Sequence, residues 1–175
     1  LVTEGLAITL IGAALMVLPV PLIRLIPAAE FDSLDGYIIG AAAALAHLTV
    51  SYVVWWMPQI VAGLINAQTT TPERMLQDTI TYGVVDPFTT IALGGMVGVA
   101  LWFRQPEGRG GQHHGPRVRL VLALIAAAAL LLHAGVGVMD IVGMPQLTML
   151  VFHLTATLVV LLALRLVLQL ALLHE

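Results

Sequence analysis

The sequence predicts an all-α integral membrane protein. It is expected to be a bundle of five transmembrane helices, with the N-terminus outside, the C-terminus cytoplasmic and the last two helices forming a tight antiparallel hairpin. Three observations lead there. Of 175 residues, 59% are hydrophobic and 10% charged, with a mean hydropathy of +0.99, whereas a soluble chain carries about 25% charged residues. Apolar runs of about 20 residues, the length that spans a bilayer, recur along the chain. The seven basic residues are all arginine and fall unevenly among the links. The chain is read as one transmembrane domain, 1–175.

The first span is expected over about 5–26. It carries Pro19 and Pro21, with Pro27 at its end, so its second half should be kinked or broken, because each proline removes a backbone donor. Without a basic flank or a small-residue cleavage site it reads as a retained helix rather than a signal peptide. The acidic link AAEFDSLDG follows. The second span, 37–65, exceeds what a perpendicular helix needs and must tilt or bend at Pro58. In the next connector Thr71, Pro72 and Glu73 mark the start of a short interfacial helix.

The third span is expected over 81–103. A Gly-rich segment with the adjacent pair His113 and His114 then reads as a flexible cytoplasmic loop, 104–119. The fourth and fifth spans, 120–142 and 146–172, are joined by Gly143, Met144 and Pro145, a turn short enough to make them a hairpin. With five spans, Arg24, Arg104, Arg109, Arg117, Arg119 and Arg165 share one side and Arg74 alone takes the other. That bias sets the orientation. The expected location is a prokaryotic plasma membrane.

Helices in lipid associate through small and polar residues, since lipid is as apolar as their other side chains. Gly36, Gly40, Ala44, His47 and Ser51 recur at helical spacing on the second span, and Asp86, Thr90, Gly94 and Gly98 on the third. His133, Gly137 and Asp140 share a face of the fourth, and His153 aligns with Thr157 on the fifth. These faces are expected to point inward, because a charge at mid-span costs roughly 2.5–3.5 kcal/mol on insertion scales. His133 and His153 flank Gly143 symmetrically, which levels them about 10 Å below the outer surface at ~1.5 Å per residue. Asp86 falls near that level on the same count, and His47 somewhat deeper.

Two readings of this cluster stay open. In one, the histidines bind helices together, and Asp86, which precedes Pro87, marks the start of a helix at the membrane interface. In the other, the groups build a shared site in the outer half of the bundle, intramembrane ionisable residues being functional by default. His47, His133 and His153 are the candidate cofactor ligands. Haem b needs two axial imidazoles, for which His47 with either partner is easier than the neighbouring pair. A copper or zinc ion can instead take His133, His153 and Asp86. Without a metal, the same groups can relay protons or bind a quinone headgroup. Tyr52, Trp55 and Trp56 read as interfacial or packing aromatics.

The absence of cysteine excludes disulfides and thiolate sites. Nothing suggests a nucleic-acid surface. No nucleophile elbow, phosphate loop or nucleotide fingerprint occurs, which disfavours an enzyme acting alone. The leading expectation is a small integral subunit of a multi-subunit electron-transfer complex, with other membrane subunits as partners. The alternatives are a small oligomeric transporter or channel using Asp and His as ion or proton ligands, and a structural or assembly subunit.

Overall fold

The computed structural model describes residues 11–12, 14–23, 32–61, 71–103, 115–142 and 145–174. Among them the regular elements are all helical. They are α1 (Pro19–Ile23), α2 (Ser33–Val61), α3 (Pro72–Ile80), a π-helical turn (Thr81–Val85), α4 (Asp86–Trp102), α5 (Gly115–Val142) and α6 (Gln146–His174).

Four helices are long and apolar enough to cross a membrane, over Ser33–Val54, Pro72–Trp102, Arg117–Met139 and Gln146–Leu173. Their outer faces carry exposed Leu, Val, Ile and Phe side chains in large number, which fits contact with lipid. Of the expected first span, residues 11–12 and 14–23 are described, the latter as the apolar helix Ala14–Ile23. It turns at Leu18, just before Pro19, in line with the missing proline donors. Alone it is too short for a ~30 Å hydrocarbon core at ~1.5 Å per residue. The hairpin turn at Gly143, the loop with His113 and His114, Arg24, and the side chains of Trp55, Trp56 and Asp140 lie outside the described residues.

The acidic link proves to be a helix start. Asp32 Oδ1 accepts from the backbone N–H groups of Leu34 and Asp35, both at 2.9 Å, while Asp35 Oδ2 accepts from the N–H of Asp32 at 3.2 Å. This reciprocal arrangement is a capping box, which satisfies amide donors that the first turn leaves without partners. α2 therefore begins at Ser33, earlier than the apolar run suggests, and continues past Pro58 to Val61. Asp32→Ala is expected to lower stability by about 1 kcal/mol, measured as a shift in the unfolding equilibrium in detergent micelles.

The third span also starts early. Thr71 caps α3, accepting from the N–H of Arg74 at 3.3 Å with Pro72 in the first turn. The helix then passes through the π turn into α4 with no break. Asp86 lies fourteen residues inside this continuous helix. Its neighbour Pro87 therefore does not open a helix, and Asp86 is no cap.

α4 is the central element. In the apolar window of its span 67% is buried, against 17%, 28% and 22% for the other three, and α2, α5 and α6 all pack on it. The closest approach is to α2. A Cβ on Gly36 would stand 2.6 Å from the carbonyl oxygen of Gly98 and 2.7 Å from Trp102 Cβ. Cβ atoms on Gly40 and Gly94 would overlap one another's backbone, and Ala44 Cβ lies against Gly94. The small residues at four-residue spacing on α2 thus face those on α4, and backbone meets backbone as the small-residue rule requires.

α6 is fastened to α4 by a polar contact. Thr89 Oγ and Thr157 Oγ, both buried, lie 2.6 Å apart, and each hydroxyl also sits 2.8 Å from a carbonyl one turn back, Val85 and His153 respectively. Two hydroxyl protons serve three contacts, so one threonine donates to the other while the acceptor donates to its own helix. A double-mutant cycle with Thr89→Val and Thr157→Val should give a coupling of about 0.6 kcal/mol and no more than roughly 1.7, the range for interhelical hydrogen bonds in membranes.

Candidate functional site

The tight α2–α4 crossing determines what happens one to two turns further along both helices. Below Ala44 on α2 come His47, Leu48, Ser51 and Tyr52; before Gly94 on α4 come Thr90 and Asp86. A cavity of about 180 Å3 lies beside these residues. It is lined by His47, Leu48 and Ser51 of α2, Asp86 and Thr90 of α4, and His133 of α5, with Gly12 and Met16 from the N-terminal helical region. Met16 is buried at 3% exposure, so the apolar N-terminal segment closes one side.

The structure therefore brings three of the expected residues to one space, from three helices: His47, Asp86 and His133. The fourth, His153, is not among the lining residues. Its Nδ1–H donates to the carbonyl of Met149 at 3.0 Å, and its own carbonyl accepts from Thr157. Among the described residues no three His, Asp or Glu side chains stand close enough together to hold a metal ion. The groups share a cavity rather than converge on one point.

Asp86 is the most tightly placed of the three. Its Oδ2 lies 2.8 Å from Tyr52 Oη, and the same phenol lies 2.9 Å from the carbonyl oxygen of Tyr82. The rings of Tyr52 and Tyr82 meet edge to face, with centroids 6.5 Å apart and an 89° interplanar angle, a favoured aromatic geometry. His47 Nε2 is 3.5 Å from Ser51 Oγ, one turn on, a distance at the outer limit of hydrogen bonding.

The π turn explains why Tyr52 reaches Tyr82. The N–H of Asp86 donates five residues back, to the carbonyl of Thr81. In that register the next N–H would serve Tyr82, but the next residue is Pro87, which has none. Tyr52 supplies a donor from the neighbouring helix. Single π turns inside α-helices are frequently found at functional sites.

Tyr52, an ordinary packing aromatic by sequence, thus makes a contact at the site that hydropathy and motif did not reveal. A signal was present: Gly40, Ala44, Leu48 and Tyr52 recur every four residues, which places the phenol on the face that packs against α4. No protein-family model matches this sequence, and no curated protein or solved structure is detectably similar to it.

Proposed function

We propose that this protein is a small membrane transporter or proton-conducting channel whose intramembrane cavity binds and passes protons. The observation that carries this reading is the meeting of His47, Asp86 and His133, from three helices, in one small cavity within the apolar bundle. Imidazole is the side chain that exchanges protons near neutral pH, and ionisable groups at such depth, carboxylates among them, mark proton and ion pathways. A volume of about 180 Å3 has room for several water molecules at ~30 Å3 each. It falls below the ~300–1,000 Å3 typical of pockets for drug-sized ligands. That size favours a proton over haem b, and the separation of the ligands favours it over copper or zinc. In this reading the segment around Pro19 and Pro21 forms the fifth span, the arginine-rich side is cytoplasmic, and the protein resides in a prokaryotic plasma membrane.

The test is flux into proteoliposomes. With an imposed pH gradient and a potassium diffusion potential, a pH-sensitive dye inside the vesicles should report proton movement above that of empty liposomes. Background rates at every gradient, with correctly folded protein, would sink the proposal.

A second reading keeps the site and changes its occupant. Leu48 and Met16 give the cavity apolar walls beside few polar groups, the pattern of sites for organic ligands. A quinone headgroup in the membrane subunit of an electron-transfer complex is such a ligand. Protection of the Tyr52 and His133 environments by a short-chain quinone, read by NMR, would favour it; unchanged spectra at saturating quinone would exclude it.

A further inference from the structure

We propose that the cavity beside the π turn holds a monovalent alkali cation, bound between the Asp86 carboxylate and the hydroxyl groups of Thr90 and Ser51. The cation is a second class of occupant beside the proton, and its binding can be measured apart from any flux.

Thr90 carries the inference. A threonine inside a helix commonly donates its hydroxyl to the carbonyl one turn back, as Thr49, Thr79 and Thr155 do at 2.8, 2.7 and 2.7 Å. Thr90 does not. Among the described residues it makes no side-chain hydrogen bond, although it is buried at 3% exposure and lines the cavity. A buried hydroxyl without a partner costs free energy, and such a group in a native structure points to water or an ion as the missing contact.

The neighbouring groups supply the rest of the ligand set. Asp86 and Thr90 are four residues apart on α4, which places them on one helix face with about 5–6 Å between Cβ atoms, so one ion can touch both. Tyr52 Oη stands 2.8 Å from Asp86 Oδ2 and orients the carboxyl group, leaving Oδ1 for the ion. Ser51 reaches the same cavity from α2, its hydroxyl only loosely held by His47 at 3.5 Å. Three oxygen donors from two helices, completed by water in a volume of about 180 Å3, suit a hard cation.

Charge selects the valence. Among the described residues Asp86 is the only carboxylate that lines the cavity, and no arginine lines it. One carboxylate balances one positive charge, whereas a divalent ion would leave an uncompensated charge inside the apolar bundle, which is costly. His47 and His133 stand alongside, but imidazole suits zinc and copper, and among the described residues no three His, Asp or Glu side chains gather closely enough for those metals.

Thermal unfolding of the full chain in detergent micelles tests this with the alkali chlorides alone. At constant ionic strength, replacing choline chloride by sodium, potassium or lithium chloride should raise Tm, with saturation for at least one of the three, because a ligand held only by the folded state stabilises it. Thr90→Val should need about tenfold more cation for the same rise, the effect of losing one contact to a charged group. Thr90→Ser keeps the oxygen and should restore the wild-type response, while Asp86→Asn should abolish it. Thr155→Val removes an equivalent hydroxyl from the exposed face of α6 and should leave the response unchanged. A wild-type Tm that is the same in the alkali chlorides as in choline chloride would overturn the proposal, and so would a Thr90→Val response equal to that of the wild type. The wild-type comparison decides even if a variant fails to fold. Saturable cation binding without proton flux would support this site and overturn the proton reading; proton flux without cation binding would overturn this site alone.

Discussion

Gly98→Leu is expected to destabilise the protein by about 3 kcal/mol, the upper end of the usual ~1–3 kcal/mol range for overpacking. Overpacking is often relieved by rotation of a neighbouring side chain, but Gly98 offers no such neighbour. Its added Cβ would overlap the carbonyl group of Gly36, and backbone can yield only if α2 and α4 move apart. Separation at Gly98 also opens the contact between Gly40 and Gly94, since both lie on the same crossing. Gly135 is the control: it is a glycine within a helix whose Cβ would meet nothing within 4 Å. Gly135→Leu should not destabilise the protein and should gain roughly 0.5–1 kcal/mol, because a glycine inside a helix is replaced by a better helix former. Equilibrium unfolding in mixed micelles measures both. Equal stability of the two variants would show that the α2–α4 crossing is not what holds the bundle together.

Asp86→Asn is expected to reduce proton flux to the level of empty liposomes while leaving the protein folded. Asparagine has nearly the volume of aspartate, and its amide can either donate to Tyr52 Oη or accept from it. What it cannot do is release and regain a proton. A structural role alone predicts the opposite pattern, with stability lowered and any flux preserved. Circular dichroism and thermal unfolding alongside the flux assay separate the two, and wild-type flux in Asp86→Asn would remove Asp86 from the pathway.

The packing faces are legible in the residue spacing itself. Gly36, Gly40 and Ala44 on one helix and Gly94 and Gly98 on another recur every four residues, and in lipid such spacing has one common use, close helix approach. Given those faces, the convergence of His47 with Asp86 follows, because both continue the same rows. The helix starts are less legible. The capping residues Asp32 and Thr71 lie outside the apolar runs, so hydropathy alone places the second and third spans too late. The pair Asp86 and Pro87 misleads for a related reason: aspartate before proline is a common helix start, and only the helical segment preceding it excludes that role here.

His133 and His153 show the limit of depth arithmetic. Symmetry about a turn can set two residues level along their helices, but it leaves undetermined how each helix is rotated about its axis. On α5 the rotation turns His133 to the cavity, whereas on α6 it brings Thr157 to Thr89. Rotation is decided by which small and polar groups find partners on the central helix, a property of all the helices together.

Composition and periodicity by themselves determined that the chain is helical and apolar enough for a bilayer, which faces approach closely, and that ionisable groups lie on those faces. Local rules suffice there, because a backbone in lipid must satisfy its own hydrogen bonds and small residues must mark close contacts. The tertiary structure alone decided that α4 is central, that Tyr52 bridges Asp86 and the Tyr82 carbonyl, and that His133 rather than His153 joins His47 and Asp86. Each of these depends on residues thirty or more positions apart meeting at a particular rotation and register. That geometry is set when all the helix faces are packed at once.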